Sequence, residues 1–109
     1  MRRFILPERN DLLLTDVLYA LSDSTRLQIV ARLASDGELP CAESSAPTPK
    51  STLSHHLKVL RESGLIATRA EGTQLFNSLR REDLDARFPG LLDAVLQGAR
   101  TCSSLPSRS

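Results

Sequence analysis

Hydrophobic residues along the chain follow a helical period first, then a strand period, then a helical one again. From Asp11 the run DLLLTDVLYAL predicts a helix to about Leu21. Leu13, Leu14, Val17, Leu18 and Leu21 share one face of it, while Leu12 and Tyr19 point the other way. A helix apolar on two sides is either buried within its domain or shared with a partner chain. Asp23 suits the N-cap of a second helix, Ser24 to about Ser35, which stops before Asp36-Gly37. Leu27, Val30, Leu33 and Ala34 are its expected core face. A short helix is expected around Cys41 to Ala46, after which Pro47 and Pro49 interrupt the chain. Thr48 as N-cap, with Pro49 at the first helical position, starts a further helix that runs to Ser63 and stops at Gly64. Leu53, Leu57 and Leu60 mark its buried side, and Ser51, His55, Lys58 and Glu62 fall opposite.

After Gly64 the period changes to two. Ile66–Arg69 and Leu75–Leu79 read as strands, with Ala70 to Thr73 (AEGT) as the turn. A last helix is expected over Arg81 to Ala99, broken or kinked at Pro89-Gly90, with Leu91, Leu92, Val95 and Leu96 as an apolar stripe. Residues 100–109, RTCSSLPSRS, hold too little apolar content to pack and read as a disordered tail. The expected fold is therefore α+β and mainly helical, in one domain over residues 1–99. It has about five helices and a two-stranded hairpin, the order of a winged helix-turn-helix.

Composition narrows the function. A hydrophobic content of 40% and a charged content of 25% fit a soluble globular domain. No apolar run approaches the roughly 20 residues that span a bilayer, which argues against a membrane partner. The start, MRRFILPERN, has too short an apolar stretch before Pro7 for a signal peptide, so a cytoplasmic location is expected. Cys41 and Cys102 are far apart in sequence and form no CxxC or Cys/His cluster, which reads as two free thiols. Twelve arginines against two lysines associate with a GC-rich bacterial source. Net charge is only +1, but it is unevenly spread. Lys50 to Arg81 holds six basic and two acidic residues, and the rest of the chain eight basic and eleven acidic. A basic segment on an acidic body is an electrostatic footprint for a polyanion.

That segment contains the helix with small hydroxyl residues in its first turns. Ser51, Thr52 and Ser54 let a helix N-terminus approach a phosphate or base edge closely, where unpaired amides favour negative charge. Lys50 and Lys58 add phosphate attraction, and the hairpin, with Arg69 near its tip and Thr73 in its turn, would serve as a wing. The adjacent His55 and His56 are the chain's two histidines, and they diverge by about 100° on a helix. They do not converge on one ion, and no third ligand stands nearby, so no metal site is assigned to them. His55 lies beside Ser51 and Lys58 and is expected to face DNA, and His56 to be half buried. No nucleophile–base pairing suggests an enzyme.

Three stretches carry a resemblance to the ArsR/SmtB family of winged-helix transcriptional regulators. They are ALSDSTRLQIVARLA (Ala20–Ala34), KSTLSHHLKVLRESGLI (Lys50–Ile66) and TRAEGTQLFNSL (Thr68–Leu79). The resemblance implies a homodimer paired through its first and last helices, with Leu12, Tyr19, Leu91, Leu92, Val95 and Leu96 in the seam. It also implies operator DNA near a palindrome, and for many members release of that DNA when a metal binds. The family's ligand sets are incomplete here. Cys41 stands alone where thiolate sensors carry a CVC-like pair, and the last helix offers Asp83, Asp85 and Asp93 but no histidine. The expectation is thus a sequence-specific DNA-binding regulator needing no cofactor for DNA binding, with weak divalent-metal binding through carboxylates left open. Its rivals are a sensor using non-standard ligands or Cys41 oxidation and a winged-helix adaptor for protein contacts; an accessory protein that brings or replaces the effector is one route by which the regulator itself could be controlled.

Overall fold

The computed structural model describes residues 6–43 and 49–104, without the side chains of Ala42, Cys102, Ser103 and Ser104. Helix α1 spans Leu14–Ala20, α2 Ser24–Asp36, α3 Lys50–Ser63, α4 Arg81–Arg87 and α5 Leu91–Ser104. Strands β1 (Leu39–Pro40), β2 (Ile66–Glu71) and β3 (Gln74–Leu79) form an antiparallel sheet in the order β1-β3-β2. Short 3₁₀ turns lie at Arg9–Asp11 and Cys41–Glu43. This is a winged helix: α3 lies on the helical core, and the β2–β3 hairpin extends beyond it.

The helix signals work locally. Asp23 accepts hydrogen bonds from the amides of Thr25 (2.9 Å) and Arg26 (3.1 Å), an N-cap of the kind worth about 1 kcal/mol. Gly64 closes α3 at φ +89°, where its amide and that of Leu65 reach back to the carbonyls of Arg61 and Leu60. Leu53, Leu57 and Leu60 of α3 are buried as their spacing requires, and each contributes roughly 1.5–3 kcal/mol by leaving water. They meet Val17 and Ala20 of α1, Ile29, Val30 and Leu33 of α2, and Leu92 and Leu96 of α5 in one core cluster.

Several boundaries and faces differ from the sequence reading. The first helix begins at Leu14 rather than Asp11, because Leu12 and Leu13 have extended backbone (ψ 131° and 132°). That break changes the phase. Leu12 turns into the core at 1% exposure, and Leu13, Leu14 and Leu18, expected inside with Val17, stand at 55%, 44% and 47% beside Tyr19 at 62%. In α2 Val30 and Leu33 are buried as expected, but Arg26 and Ile29 complete the stripe, and Leu27 and Ala34 are only half-buried. Helix α3 starts at Lys50 with Pro49 as its N-cap, and the strands extend to Glu71 and from Gln74, leaving Gly72-Thr73 as the turn. Thr48 and the later part of the helix expected at Cys41–Ala46 lie outside the described residues.

The long last helix is two helices, separated by Phe88-Pro89-Gly90 with Gly90 at φ +83°. Helix α5 continues through Ser104, so Arg100–Ser104 are helical where a disordered tail was expected. Ala99, 8% exposed, anchors its later turns to the protein. Residues 105–109 lie outside the described part. Strand β1 has no periodic signal at two residues; it pairs Leu39 with Asn77 and Pro40 with Phe76. Asn77 is fully buried in the central strand and accepts a 2.7 Å bond from the Thr68 hydroxyl across the β2–β3 pair. This satisfied polar pair helps fix the hairpin register.

Candidate nucleic-acid interface

Helix α3 is split lengthwise. Leu53, His56, Leu57, Leu60 and Ser63 are buried, while Lys50, Ser51, Thr52, Ser54, His55, Lys58 and Glu62 are exposed. Fourteen residues at about 1.5 Å each give a rod of about 20 Å, long enough to lie along a major groove. Pro49 at its N-cap makes no side-chain hydrogen bond, and among the described residues no other side chain caps the amides of its first turn. Lys50 and Lys58 make no ion pair with a described residue, so their charge is available to phosphate.

The two histidines part as the helix geometry predicts. His55 is exposed, whereas His56 is 9% exposed and deeper than half-buried. Its Nδ1 lies 3.1 Å from an Arg26 guanidinium nitrogen, and its Nε2 lies 3.8 Å from the Asp23 carboxylate. Arg26, 6% exposed, also donates to the carbonyls of Ala20 (2.7 Å) and Tyr19 (3.4 Å) and stacks on the Tyr19 ring. The sequence reading missed this arginine. Its signal was present, since Arg26 lies three, four and seven residues before Ile29, Val30 and Leu33.

On the wing, Thr73 is exposed in the turn beside Gly72. Arg69 is three residues before that turn and is already engaged. It donates to both oxygens of Glu38 (2.8 and 2.7 Å) and to Glu71 (2.6 Å), and lies over the Phe76 ring. Its hydrogen bond holds the Glu38 carboxyl below the usual range. A phosphate must therefore compete with two carboxylates for Arg69, a partner that sequence distance concealed. Glu38→Gln should loosen this hold. Affinity for any duplex is expected to rise and the salt slope to steepen by about one unit, read by fluorescence anisotropy across a salt series. An unchanged slope would mean that Arg69 does not approach DNA.

Of the expected seam residues, Tyr19 is exposed, and Leu91 and Val95 are half-buried. Leu12, Leu92 and Leu96, at 1%, 2% and 7% exposure, lie inside a single chain and offer little surface to another. The exposed apolar row lies instead on α1, at Leu13, Leu14, Leu18 and Tyr19.

The comparisons agree with this architecture. A family model described as a helix-turn-helix domain matches residues 21–69. The uncharacterized HTH-type transcriptional regulator YceK of Bacillus subtilis is 36% identical, over 83% of this chain and 93% of that protein. The arsenical resistance operon repressor of Staphylococcus aureus is 40% identical, over 66% of this chain and 70% of its own length. The chain belongs to the ArsR/SmtB family of helix-turn-helix transcriptional regulators. Its fold follows suit. The crystal structure of the transcriptional repressor BigR from Xylella fastidiosa superposes with a TM-score of 0.60 at 27% identity, covering 87% of each chain. ArsR/SmtB proteins are regulators rather than enzymes. No described helix is long and apolar enough to cross a membrane.

For an ArsR/SmtB protein the ligand inventory matters. Among the described residues, no group of three or more His, Cys, Asp or Glu could hold a metal ion. The carboxylates of α4 and α5 hold arginines: Asp83 takes Arg9 and Arg80, and Arg81 takes Asp85 and Asp93. A cation there would have to displace a guanidinium. Cys41 is half-buried against the core, and burial pushes its thiol pKa up, against the opposing effects of an Asn77 hydrogen bond and the Arg61 charge. The thiolate is the reactive form, so this environment disfavours Cys41 as a redox sensor. Cys102 lies in α5, and its side chain is outside the described part.

Proposed function

We propose that this regulator binds DNA as a homodimer. One α3 from each copy reads the major groove of an inverted-repeat operator with half-sites roughly 10 bp apart. The observation that carries this reading is the division of α3. Four large side chains seat it on the core, and a polar, cationic row without aliphatic side chains faces outward. Lys50 and Lys58 attract phosphate, Ser51 and Thr52 hold the helix N-terminus to the backbone, and Ser54 and His55 reach base edges. Thr73 and Arg69 carry the wing to the flanking DNA. The α1 row Leu13, Leu14, Leu18 and Tyr19 supports the dimer, since so many exposed large apolar side chains together favour a partner. Leu91 and Val95 of α5 extend the proposed seam. On this reading DNA binding needs no cofactor, and any divalent ion binds weakly, through carboxylates.

Selection of bound fragments from random duplexes, followed by anisotropy, tests the reading. Lys58→Ala should weaken binding to every sequence and reduce the salt slope by about one unit. His55→Ala should change the preference among sequences with little effect on the slope. Light scattering should give twice the mass of one chain. Binding indifferent to both substitutions would remove α3 from the interface.

A further inference from the structure

Arg26 stands outside the DNA-facing row, is 6% exposed, and carries a charge that joins three helices. From α2, its Nε donates to the Ala20 carbonyl (2.7 Å) and its Nη2 to that of Tyr19 (3.4 Å), while Nη1 meets Nδ1 of His56 on α3 (3.1 Å). Ala20 is the last residue of α1, so the first two contacts close a helix C-terminus, where a cation is favoured. The Tyr19 ring lies under the guanidinium, its centroid 5.3 Å away. We propose that Arg26 is a specificity-determining positioning residue. It acts through His56 to fix how α3 is turned about its own axis, and so which base edges the outer row of α3 reaches. The proposal rests on the DNA-reading role proposed for α3.

The contacts that seat α3 differ in what they can fix. Leu53, Leu57 and Leu60 hold it to the core by burying apolar area, which has no preferred direction. A hydrogen bond from a planar, donor-only guanidinium does have one. Because Arg26 offers only donors, Nδ1 of His56 accepts, and the proton of the uncharged ring sits on Nε2, toward the Asp23 carboxylate 3.8 Å away. The ring is thus held on both edges by α2. Ser54 and His55 immediately precede His56, so the anchor lies behind the positions proposed to reach bases. Side chains reach about 5–6 Å from a helix axis, so a turn of about 10° moves their tips by about 1 Å. That carries a base contact out of hydrogen-bonding range. Attraction between Lys50 or Lys58 and phosphate falls off gradually with distance and survives the same turn. Discrimination among sequences, rather than general affinity, is what Arg26 governs.

The quantity that tests this is the ratio of affinity for a selected operator to that for a random duplex, read by anisotropy in one buffer. Arg26→Lys keeps a cation at the end of α1 but loses the fork, and His56→Leu removes only the acceptor. Each should lower the ratio about tenfold, as for one misplaced base contact, with random-duplex affinity kept within about twofold. His56→Asn puts an amide oxygen near the place of Nδ1 and should restore the ratio. A native ratio in folded His56→Leu, or equal losses in the Leu and Asn variants, would overturn the proposal. Equal weakening on both duplexes would mark Arg26 as merely structural and overturn it too. Imidazole nitrogen NMR on the native, DNA-free protein at about pH 8, above the ordinary histidine range, needs no substitution. It should find the His56 proton on Nε2, and a proton on Nδ1 would overturn the Arg26 contact even if the variants fail to fold. Native protein that bound no duplex would instead overturn the DNA-reading role, and the effect on discrimination with it, while an Nε2 proton left the anchor in place.

Discussion

Leu92→Glu is expected to unfold the protein, while Leu18→Glu combined with Tyr19→Glu should leave it folded and monomeric. Leu92 is 2% exposed and packs in the central cluster, so a glutamate there takes its charge out of water without a partner. The penalty, several kcal/mol, is comparable with the roughly 5–15 kcal/mol that holds a domain together. Circular dichroism should show loss of helix and of a cooperative melt. Leu18 and Tyr19 are 47% and 62% exposed, so glutamates there meet water in the isolated chain and cost the fold little. Across a dimer seam they would bring like charges together at an apolar contact. Light scattering on the folded double variant reads the difference, and an unchanged dimer would move the seam away from α1.

Gly64→Ala is expected to cost about 2–5 kcal/mol, combining about 1–2 for a side chain in the left-handed region with about 1–3 for overpacking. Gly64 has φ +89°, and an added Cβ would overlap Cδ2 of Leu12. Leu12 is itself 1% exposed, and its carbonyl accepts a 3.0 Å bond from Arg87, so it has little room to give. Gly72→Ala is the control. Its φ of +62° is also left-handed, but nothing lies within 4 Å of the new atom, so only the backbone cost of about 1–2 kcal/mol applies. Urea melts of the two variants isolate the Leu12 contact, and equal losses would show that the overlap relaxes freely. Because Gly64 also ends α3, the first variant should lose operator affinity along with stability.

Features governed by neighbours in sequence were legible without the structure. Leu53, Leu57 and Leu60 gave the inner face of α3, Gly64 its end, Asp23 the start of α2, and the change to period two the hairpin. Each rests on contacts spanning a few residues, whose geometry is the same in any fold. The outer row of α3, with Ser51, Ser54, His55 and Lys58, follows from that same period. The phase of α1 was not legible. Two residues of extended backbone at Leu12 and Leu13 turned one leucine into the core and left others in water. The Arg26–His56 and Glu38–Arg69 contacts join residues 30 and 31 positions apart, and strand β1 exists only because β3 is there to pair with it. Sequence alone determined a helix-turn-helix with a wing and the side chains that face outward from α3. Tertiary structure decided which apolar residues remain uncovered, which cations are already held and what anchors α3, because burial and charge pairing depend on what the folded chain brings alongside.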